Sequence, residues 1–225
     1  METSNVEHIF KVIDKLKGTI EKVQTKIVDI NKKIHKFNQN SLLDTDNLYL
    51  SFQISLLNNE KSYYSEMMKL VEDKMFFDMV HIYEKILMLI TSLETLDIEH
   101  DEEKNNIIIG VRKFQHTDVI SCSEVMNLVS CSNSNLELVK RFIDLFEDYI
   151  KKLEIEHKQE NIHCANMTVS LNIRKRHIEV EYLRYKQQLE DLLTYFVDCT
   201  KYISDQLDKQ ELINFLTHKN GTTEV

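Results

Sequence analysis

From Val6 to Phe37, apolar side chains recur at spacings of three and four residues without a break. Most of the side chains between them are polar or charged. A helix with such a coiled-coil stripe is not stable alone in water, because the stripe must be covered by another helix. We therefore predict a helix here that packs on a neighbour from the same chain or from a partner. We interpret the central stripe positions as an interaction seam: Ile13, Leu16, Ile20, Val23, Ile27 and Ile30.

The chain of 225 residues contains no proline and only three glycines. Proline breaks helix interiors and glycine weakens them, whereas sheets with tight turns need both. Together with apolar periodicity over about 45–96, 135–159 and 168–217, this predicts an all-α fold. The expected architecture is an elongated antiparallel bundle or coiled coil of four main helices, two shorter and two long.

Polar breaks between the periodic segments predict three regions: a helical hairpin over 1–98, a connector with a short helix over 99–133, and a second hairpin over 134–225. Apolar positions that match at an offset of 121 residues, such as Tyr64 and Tyr185, indicate one of two things. Either the hairpin is duplicated, or heptads alone generate the matches.

The connector itself leaves several alternatives open. Asp118 or Ser121 is suited to cap its short helix, which we expect to end near Val129. The Ile107–Val111 run fits a strand, an extended connector or the end of a helix, and Ser130–Ser134 predicts a loop.

The formal net charge is −9, which disfavours binding to duplex nucleic acid and to anionic lipid surfaces. Charged residues interrupt the apolar Met75–Ile90 run, so we predict no transmembrane segment. No basic-then-apolar leader precedes the first helix, so we expect a chain that is not secreted and four cysteines that stay reduced.

Motifs for chemistry are not found in the sequence. It contains no Gly-rich phosphate loop and no C-x2-C or H-x3-H spacing of a zinc site, and His81 and Glu84 of the second helix stand in the reverse order to the Glu-x-x-His motif of di-iron bundles. We predict no enzymatic activity, no metal and no cofactor. The basic run Arg174-Lys175-Arg176-His177 fits either a phosphate-binding stripe or a solvated helix face paired with glutamates.

One part of the second helix is rich in tyrosine and methionine, residue types that adapt well to protein interfaces but also fill ordinary cores. It offers two interpretations, a surface patch for a partner or part of the core. Its members are Tyr63, Tyr64, Met67 and Met68.

The run Asn47-Leu-Tyr-Leu-Ser-Phe-Gln-Ile-Ser-Leu-Leu-Asn-Asn-Glu-Lys-Ser-Tyr-Tyr64, continued to Ile86, resembles small all-helical structural proteins of nucleocytoplasmic large DNA viruses. The resemblance implies a virion component, such as a minor capsid protein that bridges other subunits. We therefore expect a structural or assembly protein of the virion or host cytoplasm, which binds itself or other capsid proteins and forms a homo-oligomer or lattice. The alternative is a cytosolic coiled-coil adaptor or tether for partner proteins.

Overall fold

The computed structural model describes residues 3–41, 48–96, 101–114, 121–156 and 162–221. All regular elements in these ranges are helical, which confirms the predicted all-α class. The helices are α1 (Thr3–Ser41), α2 (Leu48–Lys69), α3 (Phe77–Glu94), α4 (Asp101–Ile109), α5 (Cys122–Glu156) and α6 (Ile162–Gly221), and a π-helical segment (Leu70–Phe76) lies between α2 and α3.

The chain forms two compact units, and α6 contributes to both. Unit 1 consists of Met1–Val6 and Phe77–Leu193, and unit 2 consists of Glu7–Phe76 and Thr194–Val225. These boundaries differ from the predicted ones at 98 and 133. Periodicity predicts where a helix begins and ends, but not that one helix continues through two cores.

The first two predicted helices are present with small changes. Helix α1 begins at Thr3 and ends at Ser41, four residues beyond the end of the predicted stripe at Phe37, and residues 42–47 lie outside the described residues. The predicted second helix runs from Leu48 to Glu94, with the π segment inside it. Buried Val71, Met75 and Phe76 anchor that segment, which the spacing of apolar residues does not predict.

The predicted connector is largely helical. Ile107 is buried, and the Ile-rich run closes helix α4, so the helix-end alternative is correct and the strand alternative is wrong. Gly110 ends the helix, donating its N–H to the Asn106 carbonyl at 3.1 Å. Packing of α4 on α5 outweighs the preference of isoleucine for strands.

Helix α5 shows the clearest correction. Ser121 caps it as predicted: its N–H donates to Glu124 Oε2 at 2.6 Å, and the Glu124 N–H donates to Ser121 Oγ at 3.4 Å. The helix then continues through Ser130–Ser134, so the predicted loop there is wrong. Serine and asparagine disfavour helices by only a few tenths of a kcal/mol, about as much as other polar residues. Burial of the flanking Val129 and Leu136 outweighs this preference.

In unit 1, α3 and α5 run in the same direction, unlike the all-antiparallel arrangement that we expected. Near one end, Tyr83 and Asn135 both donate hydrogen bonds to the Arg112 carbonyl. Toward the other end, Leu96 lines the same cleft as Phe146. Helix α4 and residues 111–114, which lie between α3 and α5 in sequence, therefore run in the direction opposite to both helices.

Unit 2 combines α1, α2 and the second half of α6. The Tyr63 hydroxyl donates to Gln206 Oε1 at 3.1 Å, which joins α2 to α6. Lys26 Nζ lies 3.8 Å from Glu211 Oε1, which joins α1 to α6. Helices α1 and α2 therefore both pack on α6. Among the described residues of α1, the buried side chains are Ile9, Ile13, Leu16, Thr19, Val23 and Ile30.

Candidate interaction face

The seam predicted on α1 is covered within a single chain. Ile13 and Leu16 are 0% exposed, Val23 is 1% exposed and Ile30 is 3% exposed. Ile20 and Ile27 are half-buried. The first four side chains are thus core residues that need no partner chain to cover them, and a contact of Ile20 or Ile27 with a partner stays a prediction.

The predicted patch on α2 is also largely core. Tyr64 and Met67 are buried, so they are not available to a partner, and the surface interpretation is wrong for these two. Tyr63 and Met68 are half-buried, and their role in an interface stays a prediction. The reason is packing: the same helical spacing that groups these side chains also turns them toward the unit 2 core. Burial raises the pKa of the Tyr64 hydroxyl to about 12, and this hydroxyl has no hydrogen-bond partner among the described residues.

A second apolar stripe lies on α6 and is exposed. We call it the α6 outer face and define it by Val169, Ile173, Arg176, Val180 and Leu183. The exposed fractions of its four apolar side chains are 58%, 65%, 54% and 60% in chain order. Their positions follow spacings of four and three residues, with Arg176 at one of them. This is the pattern of a coiled-coil seam over about two heptads.

The α6 outer face lies opposite the side of α6 that packs into unit 1. Leu171, Ile178 and Leu189 are buried on the inner side. Val180 follows Ile178 by two residues, which is about 200° around the helix axis. Since the inner side is already covered, the apolar outer side cannot be explained by the core of this unit. A helix that is apolar on two opposite sides is typical of one with neighbours on both.

Ion pairs fix the rotation of α6 on α5. Lys175 Nζ on α6 lies 3.0 Å from Glu147 Oε2 on α5 and 3.3 Å from Glu179 Oε1. Lys151 Nζ lies 2.8 Å from the other Glu147 oxygen. Hydrogen bonds from Lys151 and Lys175 lower the pKa of the Glu147 carboxyl to about 2. With Lys175 held in this way, the outer face is directed away from α5.

The basic run that contains Lys175 does not form one surface. Arg174, Arg176 and His177 are exposed, whereas Lys175 is half-buried between two glutamates. Consecutive residues on a helix are separated by about 100°, so the four side chains spread around most of the circumference. This favours the interpretation of a glutamate-paired helix for Lys175 over a phosphate-binding stripe.

In unit 1, side-chain hydrogen bonds hold the backbone of the segment after α4, residues 111–114. We call this set of hydrogen bonds the clamp. The Arg112 N–H donates to Asn135 Oδ1 at 3.0 Å, and Asn135 Nδ2 donates back to the Arg112 carbonyl at 3.1 Å. The Tyr83 hydroxyl donates to the same carbonyl at 3.2 Å and accepts from the Phe114 N–H. Burial raises the pKa of the nearby Cys131 thiol, which lowers its reactivity. The clamp therefore has a structural role.

A cleft of about 410 Å³ lies between α5 and α6, with Phe146, Tyr149 and Leu171 as its apolar walls and Arg174 in its lining. Its lining residues include no nucleophile beside a base. Among the described residues, no group of three or more His, Cys, Asp or Glu side chains could hold a metal ion. Within the same ranges, no helix is long and apolar enough to cross a membrane.

Comparison with protein-family models, with curated proteins and with solved structures found no match. The function of this chain is therefore inferred from its geometry. Sequence reasoning missed the α6 outer face, although its signal is visible as four aliphatic residues at heptad spacing on a helix that has another apolar stripe.

Proposed function

We propose that this protein is a structural or assembly protein that binds a helical partner on the α6 outer face. The observation that carries the proposal is the exposed apolar stripe opposite the buried side of α6. Burial of apolar surface drives most protein association, and exposed apolar patches commonly mark binding sites. A second helix laid along the stripe would cover Val169, Ile173, Val180 and Leu183 together.

The state of α6 before binding supports this function. A short coiled-coil segment is weak when its helix must first form, because helix nucleation is unfavourable. Here the helix is already folded against unit 1, and Glu147 and Lys175 fix its rotation. A partner therefore meets an ordered surface, and less conformational entropy is lost on binding.

The setting that we propose is a virion, in which the chain is a minor capsid component bridging other subunits. This follows from the resemblance of Asn47–Ile86 to helical structural proteins of large DNA viruses. Helix-on-helix contacts, as on the α6 outer face, suit such bridging because they need no ligand or cofactor. A location in the virion or the host cytoplasm belongs to the same proposal.

The second candidate is a cytosolic adaptor, and one observation favours it. The α1 stripe closes within one chain, so the described fold does not need a lattice around it to bury this seam. An adaptor would use the α6 outer face to bind a helix of another protein, without forming a shell.

The test asks whether the chain is incorporated into large assemblies. It is made by sedimentation of extracts from cells that naturally make the chain. The variant Val180→Lys/Leu183→Lys places two ammonium groups on the outer face, where a covering helix would have to desolvate them. We expect the native chain in the fast-sedimenting fraction and this variant in the slow one. Met88→Lys on α3, where the native side chain is 72% exposed, is the matched control and should behave as the native chain.

Equal incorporation of the native chain and the outer-face variant would contradict the proposed function. Complexes that depend on the outer face but remain far smaller than a particle would instead favour the adaptor. Circular dichroism and thermal unfolding of each purified variant establish that the fold is retained.

A further inference from the structure

The charges beside the α6 outer face indicate the partner more specifically than the apolar stripe does. One flank consists of Asn172, Glu179 and Lys186, and the other consists of His177, Arg184 and Asp191. Along the helix, the first flank is acidic then basic, and the second is basic then acidic. In coiled coils, residues at these flanking positions select the partner and its orientation through interhelical ion pairs.

We propose that the partner on the α6 outer face is a second copy of this chain, whose α6 packs in parallel and in register; this inference rests on the proposed function. In a parallel pair, a residue on the first flank faces the residue five positions later on the other flank of the second helix. Glu179 of each copy then faces Arg184 of the other, and Lys186 faces Asp191. The two-fold symmetry makes two attractive pairs of each kind.

The opposite orientation does not give such a match. In an antiparallel pair centred on the stripe, Ile173 faces Leu183 of the second copy, and each flank faces itself. Glu179 then meets the second Glu179. Like charges directly opposite each other destabilise an interface, so the flank charges favour the parallel orientation.

The match between the two flanks favours a second copy over an unrelated helix. An unrelated partner would need charges that fit each flank, but the two flanks would have no reason to fit each other. In this chain, the flank side chains already lie near neighbours on α6: Glu179 Oε1 is 3.3 Å from Lys175 Nζ, and Arg184 is 3.5 Å from Glu181. These contacts hold the charges beside the stripe.

Arg176 is the one charged residue within the stripe, and a parallel pair places the two Arg176 side chains at the same level. Their aliphatic stems can lie along the seam while the guanidinium groups reach solvent. A polar residue in a seam weakens the contact but restricts register and partner number. The proposal therefore predicts a moderate affinity that Arg176→Leu increases.

The position of the stripe permits a two-fold pair. Because the outer face lies opposite the buried side of α6, a symmetry axis along the stripe places the two copies of unit 1 on opposite sides. The same contact is then made by both copies, so the interface is isologous and closes at two.

The first experiment measures the mass of the purified full chain over a range of concentrations by sedimentation and light scattering. We expect a concentration-dependent dimer. The dimer should be lost in Val180→Lys/Leu183→Lys and unchanged in Met88→Lys. Arg176→Leu should tighten the dimer on the order of tenfold or more, because it removes two like charges from one layer.

The second experiment tests orientation by oxidative cross-linking. A parallel, in-register pair places Ile173 opposite the second Ile173, so Ile173→Cys alone should form a covalent dimer. In the antiparallel pair these two positions are separated by about 15 Å along the axis, and only a mixture of Ile173→Cys and Leu183→Cys chains would cross-link. The native chain gives the background from its own cysteines, and Met88→Cys is the exposed control.

The third experiment reverses the flank charges. Arg184→Glu should weaken the dimer on the order of tenfold by placing glutamates opposite Glu179 in both symmetric pairs. Adding Glu179→Arg to the same chain should restore the affinity, because the attractive pairs are re-formed with the signs exchanged. Failure of this rescue, or cross-linking only in the mixed pair, would overturn the parallel dimer.

The outcomes also separate this inference from the proposed function. A chain that stays monomeric at every concentration, but whose outer-face variant is still excluded from large assemblies, would overturn the second-copy proposal and leave the assembly function. A chain whose outer-face variant dimerises and assembles like the native chain would overturn both.

Discussion

Helices α1 and α6 each carry an apolar stripe at heptad spacing, and the fold treats the two stripes in opposite ways. The α1 stripe is covered within the chain, with Ile13 and Leu16 fully buried. The α6 outer face is left open, although the other side of the same helix packs into unit 1. The stripe with the stronger sequence signal is therefore core, and the shorter stripe is the available surface.

The difference shows what heptad spacing does and does not establish. The spacing identifies a helix face that must be covered, but it does not identify the chain that covers it. Thr19 is buried beside the α1 stripe, and its hydroxyl donates to the Lys15 carbonyl at 3.0 Å, inside its own helix. The α6 outer face contains Arg176, whose charge favours contact with water. A local hydrogen bond lets a polar residue be buried beside a stripe, whereas a charge within a stripe keeps that stripe near solvent.

The largest expected effect tests this comparison directly. Ile13→Ala should lower the free energy of unfolding by about 2–5 kcal/mol, because it removes a fully buried side chain and leaves a cavity. Ile173→Ala, the same change on the α6 outer face, should stay within about 0.5 kcal/mol in the monomer. Urea denaturation at low protein concentration measures both, and similar losses for the two variants would remove the distinction between the stripes.

The next largest effect is expected for the hydrogen bonds that stabilise unit 1, the unit in which the α6 outer face stays exposed. Asn135→Ala should lower the free energy of unfolding by about 1–3 kcal/mol, because the fully buried Asn135 amide makes two hydrogen bonds with the Arg112 backbone that the variant loses. Asn127→Ala, at an exposed position of the same helix, controls for the change in helix propensity. A difference near zero between the two variants in urea denaturation would mean that the clamp does not stabilise unit 1.

A smaller change in the free energy of unfolding is expected for a substitution in unit 2, where the α1 stripe is buried. Tyr64→Phe should be neutral or stabilise the protein by about 1 kcal/mol, because it removes a buried hydroxyl that has no hydrogen-bond partner in the described part of the chain. The raised pKa of Tyr64 also gives a sign for pH: its contribution is fully present below pH 10 and is lost as the pH rises toward about 12.

Thermal unfolding between pH 9 and 12 measures this dependence, with Tyr49→Phe at an exposed position of α2 as the control. The Tyr64→Phe variant should lose less stability than the control over this interval. Parallel curves for the two variants would contradict the assignment of the alkaline loss to Tyr64.

The smallest effect is expected for the ion pair between Glu147 on α5 and Lys175 on α6. The pKa of Glu147 is lowered from 4.5 to about 2, so its contribution is present above pH 4.5 and is lost as the pH falls through about 2. Glu147→Gln should flatten the dependence of the unfolding midpoint on pH in this interval. Glu154→Gln, an exposed carboxylate of the same helix, is the matched control, and identical slopes for the two would show that the Lys175 pair is not responsible.

Much of the fold could be predicted from the sequence, since helix formation follows local periodicity and the scarcity of proline and glycine. The helix over Val6–Phe37, the Ser121 cap and the extent of the second predicted helix are of this kind. The continuation of α5 through Ser130–Ser134 was not predictable from local preferences, because it depends on side chains buried by the rest of unit 1. The proposed duplication of the hairpin stays a prediction.

The candidate site was harder to predict than the fold. Its apolar residues were visible, but burial decides which stripe becomes a surface, and burial is a property of the whole chain. Tyr64 and Met67 were candidates for a surface because of their residue types, yet the core uses the same types. The α6 outer face could be recognised only after Leu171 and Ile178 were known to be buried on the opposite side.

The parallel arrangement of α3 and α5 also has a consequence for the order of folding. Glu147 and Lys175 are 28 residues apart in sequence, so the contact between α5 and α6 closes a short loop. Joining α3 to α5 requires the much longer path from Tyr83 through Arg112 to Asn135. Contacts between distant residues form more slowly, so we expect the last two helices to pair early and α3 to dock on them afterwards.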